Sequence, residues 1–92
     1  DTSKTFILQV KGDSMIEEGI KEGDLVVVER TTNPKDGEIV IAQVDGGWTM
    51  KYLRKKAGKP VFLEPANKNY KPIHPEYELN IAAVVRGVIR RY

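Results

Sequence analysis

An all-β fold is predicted, of mainly antiparallel and strongly bent sheets with at most one short helical turn. Three features of the sequence predict it. Apolar and β-branched runs of strand length recur along the chain, clusters of Gly, Pro, Asn and Asp separate them, and no segment beyond a single turn after Ser14 reads as a helix. Thr5–Val10 is the first apolar run. A Gly-rich stretch follows, GDSMIEEGIKEGD, in which Ser14–Glu18 is long enough for one helical turn. Asp24–Arg30 (DLVVVER) is apolar on both alternating faces and is expected to be a buried strand.

The sequence Asn33-Pro34-Lys35-Asp36-Gly37 reads as a turn, because proline presets φ and glycine follows aspartate where φ can be positive. Glu38–Val44 is the next strand. Asp45-Gly46-Gly47 signals a hairpin into Trp48–Lys55. Ala57-Gly58-Lys59 turns the chain before Val61–Leu63. Residues 65–76, with three prolines and two asparagines, read as an ordered surface loop. Leu79–Tyr92 is β-branched and apolar, interrupted by Gly87, and is expected to hold one long bent strand or two short ones. No internal repeat, low-complexity tract or linker is visible, and residues 1–92 read as one domain.

Composition narrows the function classes. The chain has 92 residues, 40% of them hydrophobic and 30% charged, which places it among globular domains. The net charge of +2, with basic residues scattered among acidic ones, does not argue for nucleic acid, and the missing helices remove helix-turn-helix recognition from this stretch. With no cysteine, disulfides, thiolate chemistry and Cys-based zinc sites are excluded, and a reducing compartment fits. No apolar run approaches the ~20 residues of a membrane span, and the first ten residues lack a signal-peptide pattern. The one histidine, His74, lies between Ile73 and Pro75 and reads as a loop residue rather than a base.

Ser14 raises the chemical question. A serine beside Gly and Asp commonly caps a turn through local hydrogen bonds. To act as a nucleophile it needs a base. A lysine serves only when neutral, which requires burial to bring its pKa down from about 10.4. Lys51 is the only charge in Trp48-Thr49-Met50-Lys51-Tyr52-Leu53. Period-2 alternation puts it on the face of Thr49 and Leu53, with Trp48, Met50 and Tyr52 opposite, and Thr49 is placed to orient the amine. Residue types alone leave two readings open: a buried base, or a lysine snorkelling outward at the sheet margin.

Four blocks decide between them. VKGDSMIEEGIKEGDLVVVER, DGEIVIAQVDGGWTMKYLRK, VFLEPANKNYKPI and VVRGVIRRY, in that order, resemble the C-terminal domain of LexA repressors. That family of self-cleaving Ser-Lys peptidases also includes UmuD-type proteins and many phage repressors, and its fold is the LexA/signal-peptidase-like one. The likeness runs from about Phe6 to Tyr92. It implies that Ser14, in Gly12-Asp13-Ser14-Met15, is the nucleophile and Lys51, in Thr49-Met50-Lys51, the general base. Met50 stands where the family usually has valine, an apolar replacement.

The resemblance further implies a serine peptidase that uses no cofactor or metal and cuts an Ala-Gly type bond upstream of its own serine, under stimulation by RecA–single-stranded DNA filaments. It implies a homodimer in the bacterial cytoplasm, with Val84, Val88, Ile89, Arg90 and Tyr92 as interface candidates. Operator DNA is then bound only through an N-terminal domain that this chain does not include, nor is the membrane a partner. No Ala-Gly pair precedes Ser14, and Ala57-Gly58, which follows the lysine, reads as a turn. Three other readings compete: a UmuD-like translesion-polymerase accessory protein or phage repressor domain, a signal-peptidase relative, and a dimerisation module without catalysis.

Overall fold

The computed structural model describes residues 4–31 and 33–90. Among these residues, six strands form one antiparallel sheet: β1 (Thr5–Gln9), β2 (Leu25–Arg30), β3 (Ile39–Val44), β4 (Gly47–Arg54), β5 (Phe62–Glu64) and β6 (Leu79–Ile89). They lie in the order β1-β2-β6-β3-β4-β5, and a 3-10 turn at Ile16–Glu18 lies between β1 and β2. The chain is therefore all-β and antiparallel, as expected, with its strands joined in one sheet.

Alternation along the strands builds the core on two sides. Val26 and Val28 of β2 and Ala83 of β6 join Val10, Met15, Ile20 and Ala66 in one buried cluster. Val84, the next residue of β6, joins Val40, Ala42, Leu53 and Leu63 in the other. Fully burying a Val or Leu side chain contributes about 1.5–3 kcal/mol, so these small clusters carry much of the fold. The valine run of β2 is buried on one face only. Val27 is half-exposed, beside the exposed Ile7 of the edge strand β1.

Strand β6 runs unbroken through Gly87, the long bent strand of the two expected alternatives. Its register slips twice: Arg86 is extra opposite Val27/Val28 of β2, and Ala82 is extra opposite Ile41/Ala42 of β3. These two bulges bend the strand, as an added residue does in an antiparallel ladder. Val84 packs against Val40, Ala42, Leu53 and Leu63 and is only 1% exposed, which removes it from the surface set expected for a dimer contact. Val88 and Ile89 are exposed, and Tyr92 lies outside the described residues.

The 65–76 segment is irregular and largely exposed, as expected of a surface loop, with two inward-facing residues. Ala66 and Asn67 are buried, and Ile73 bridges to Leu63. No helix among the described residues is long and apolar enough to cross a membrane.

Candidate active site

The loop between β1 and β2 is closed at its base by two backbone bonds. Val10 N–H donates to the Asp24 carbonyl at 2.8 Å, and Gly23 N–H donates to the Val10 carbonyl at 2.9 Å. Gly12 takes a φ of 82°, a left-handed conformation that L side chains resist, and turns the chain toward Ser14. Met15, 1% exposed, then anchors the loop in the core. Ser14 is left half-buried at the mouth of a cleft of about 600 Å³, whose apolar walls include Leu8, Val26, Ile41 and Trp48.

Lys51 enters this cleft from β4. It is 8% exposed, and the face shared with Thr49 and Leu53 that alternation assigns to it is the one observed: Leu53 is fully buried and Thr49 partly so. The Lys51 Nζ donates to Ser14 Oγ at 3.1 Å and also to Thr49 Oγ1. Ser14 Oγ donates to the Met50 carbonyl at 3.3 Å. Burial holds the Lys51 pKa below the usual lysine range, and no carboxylate forms an ion pair with it among the described residues. A neutral amine is an acceptor. The same contact therefore allows the hydroxyl to turn from the Met50 carbonyl to Nζ and hand over its proton.

His74 takes no part in this contact. It is exposed and stacks on Phe62 with ring centroids 5.1 Å apart, and no hydrogen bond joins it to Ser14 among the described residues. Ala57-Gly58 sits in a turn closed by Lys59 N–H on the Lys56 carbonyl at 3.1 Å, as read from the sequence. No cluster of three or more metal-ligating side chains occurs among the described residues.

Several groups around the serine were not foreseen. Tyr52 donates its hydroxyl to Glu18, and burial together with that carboxylate pushes its pKa up to about 12. Asn67 and Tyr70 bond to Asp13, next to Ser14. Asp24 accepts from Arg90 Nη2 at 2.8 Å and from Lys21 N–H at 2.8 Å, and the guanidinium with that N–H holds its pKa at about 2. The sequence carries a weak signal for Asn67 alone, since PANKNY places polar amides inside a stretch bounded by apolar strands.

Residues 1–86 match the family described as peptidase S24-like. The chain is 42% identical over 88 residues to a LexA repressor of Syntrophobacter fumaroxidans, covering 95% of this chain and 42% of that protein. It is 42% identical over 88 residues to a LexA repressor of Clostridium novyi, covering 95% and 43%. A LexA repressor 2 of Pseudomonas syringae pv. tomato is 43% identical over 88 residues, at 94% and 43% coverage. The chain thus spans less than half the length of these relatives. A nearly full-length match to the family, on an all-β frame that brings a serine of a GDSM loop against a buried lysine, shows that the chain belongs to the peptidase S24-like family.

Proposed function

We propose that Ser14 and Lys51 form a Ser-Lys dyad that hydrolyses a peptide bond, within a LexA-like repressor that this activity inactivates. The observation that carries the reading is the 3.1 Å contact between the serine oxygen and a buried amine that has no carboxylate partner among the described residues. In the first step neutral Lys51 takes the Ser14 proton, and the oxygen adds to the carbonyl carbon. Backbone N–H groups near Ser14 stabilise the resulting oxyanion. As the tetrahedral species collapses, the C–N bond breaks and Lys51 passes its proton to the leaving amine. Water, deprotonated by Lys51, then releases the acyl group and restores the serine.

The substrate in this reading is an Ala-Gly type bond in a linker to a DNA-binding domain, and RecA filaments stimulate its cleavage. The names of the relatives favour repression over a UmuD-like accessory role. Dimerisation through the end of β6 is part of the same reading. Pairing with β3 ends at Val84, and beyond it Val88 and Ile89 are each 43% exposed on a stretch paired with β2 alone. An unpaired edge of this kind suits a two-fold strand contact. The setting is the bacterial cytoplasm.

Cleavage of a supplied peptide containing the Ala-Gly bond tests the dyad. Ser14→Ala and Lys51→Ala are expected to abolish it with the fold retained. The wild-type rate is expected to rise with pH, with its midpoint below the ordinary lysine value of about 10.4, since burial favours the free amine. Robust cutting by the lysine variant excludes the assignment.

A further inference from the structure

We propose that Asn67 is a positioning residue of this peptidase centre, fixing the Asp13–Ser14 peptide so that the Ser14 N–H serves the oxyanion. The inference rests on the peptidase reading above. Asn67 is 5% exposed, and both ends of its amide are engaged: Nδ2 donates to the Asp13 carbonyl at 2.8 Å, and Oδ1 accepts the Asn69 N–H at 2.9 Å. Exchanging the two ends would set oxygen against oxygen and N–H against N–H, so its partners determine the orientation.

The neighbouring contacts make a clamp. Glu17 N–H donates to the Ala66 carbonyl at 2.7 Å, Lys68 N–H to the Glu17 carboxylate at 2.7 Å, and the Tyr70 hydroxyl to the Asp13 carboxylate at 2.5 Å. Residues 66–70 therefore grip the chain on both sides of Ser14. Within that grip Asn67 is the side chain that holds the peptide unit itself.

Peptide geometry carries the consequence to the serine. No cis peptide occurs among the described residues, and in a planar trans unit the C=O and the following N–H point to opposite sides. The Asp13 carbonyl accepts from Asn67 and also from Ile16 N–H at 3.2 Å, so the unit has little freedom to turn. Ser14 N–H, on the far side of that unit, donates to no protein acceptor among the described residues and remains available to a ligand. A donor held ready before the reaction is the kind of group that stabilises a developing oxyanion.

The test uses the same Ala-Gly peptide, together with a peptide boronic acid whose adduct with Ser14 Oγ is tetrahedral and anionic. Loss of one oxyanion donor costs about 10²–10³ in rate, and a donor left loose rather than removed belongs near the lower figure. Asn67→Ala is expected to lower kcat about 10²-fold, with KM within about twofold and the pH midpoint unmoved, because Lys51 is untouched. Boronate affinity is expected to fall in step with kcat/KM. Asn67→Asp keeps the acceptor for Asn69 and lacks the donor, so the same loss is expected where the alanine variant fails to fold. Thermal unfolding sets the temperature at which each variant is compared. An active wild type with folded variants within twofold of it overturns the proposal. So does a loss that shows up in KM or shifts the pH midpoint, which a merely structural or substrate-binding role produces. A wild type inert to both probes overturns the peptidase reading itself.

Discussion

At Lys51, stability and chemistry pull in opposite directions. Folding buries the amine beside Thr49 and Ser14 and lowers its pKa, so the folded state holds the proton less tightly than the unfolded chain. Below the folded-state value both states are protonated and folding carries the full cost. That cost shrinks as pH rises toward the unfolded value of about 10.4, and it vanishes above it. Lys51→Met keeps the stem and removes the charge. It is expected to raise the melting temperature at pH 7, with a gain that fades as pH approaches 10, while cleavage is lost. Thermal unfolding across that range checks it, and an unchanged or lowered melting temperature at pH 7 counts against a desolvated amine. This residue stood out in the sequence through local evidence, one charge in an apolar strand with a threonine two positions away, but residue types left its burial open and only the family resemblance decided it. Asn67 was not, because its partner Asp13 is 54 residues distant and only the folded chain brings them together.

At the scale of elements, two glycines separate backbone need from mere placement. The β3–β4 hairpin turns on Asp45 and Gly46, with φ of 47° and 92°, and the pair closes directly on Val44 and Gly47. Two successive positive φ values match the right-handed twist of the flanking strands, and this is why the Asp-Gly signal could be read in advance. Gly46 has nothing within 4 Å of an added Cβ, so Gly46→Ala strains the backbone alone and is expected to cost about 1–2 kcal/mol. Gly87 has equally open space and no positive φ. Gly87→Ala is therefore expected to be neutral or to stabilise by up to about 1 kcal/mol, through the unfolded state. Denaturant midpoints of the two variants test the contrast, and a large loss at Gly87 means that it bends β6 after all. The sequence reading placed the bend at this glycine. The register puts it at Ala82 and Arg86, where extra residues face β3 and β2, and a bulge between ordinary residues leaves no mark in composition.

Across the whole molecule, one ion pair joins the loop that carries Ser14 to the far end of the chain. Asp24, at the exit of that loop, is 7% exposed and holds Arg90, just beyond β6, while Arg90 also donates to the Gly19 carbonyl. The last strand and the serine loop are thereby fastened together, although 66 residues separate the two side chains. The sequence offered Arg90 as an interface residue, because a charge near a strand end gives no hint of which distant carboxylate it meets. The Asp24 pKa of about 2, against an ordinary value of 3.8, makes the link acid-labile. A carboxylate whose pKa is depressed on folding contributes fully above its unfolded value and loses that contribution as pH falls through the folded one. Asp45 and Glu38 are depressed as well, the first by N–H groups of Tyr77 and Glu78, the second by Lys35 N–H and Arg86. Wild type is therefore expected to lose stability steadily from about pH 4 toward pH 2. Asp24→Asn is expected to be the less stable protein at pH 6, and the gap between the two to close over the same interval, because protonation removes from wild type the charge that the substitution removes outright. Denaturant unfolding at pH 6, 4, 3 and 2 measures that gap. A constant gap assigns the role of Asp24 to neutral hydrogen bonding and shape, and leaves the acid sensitivity to the other two carboxylates.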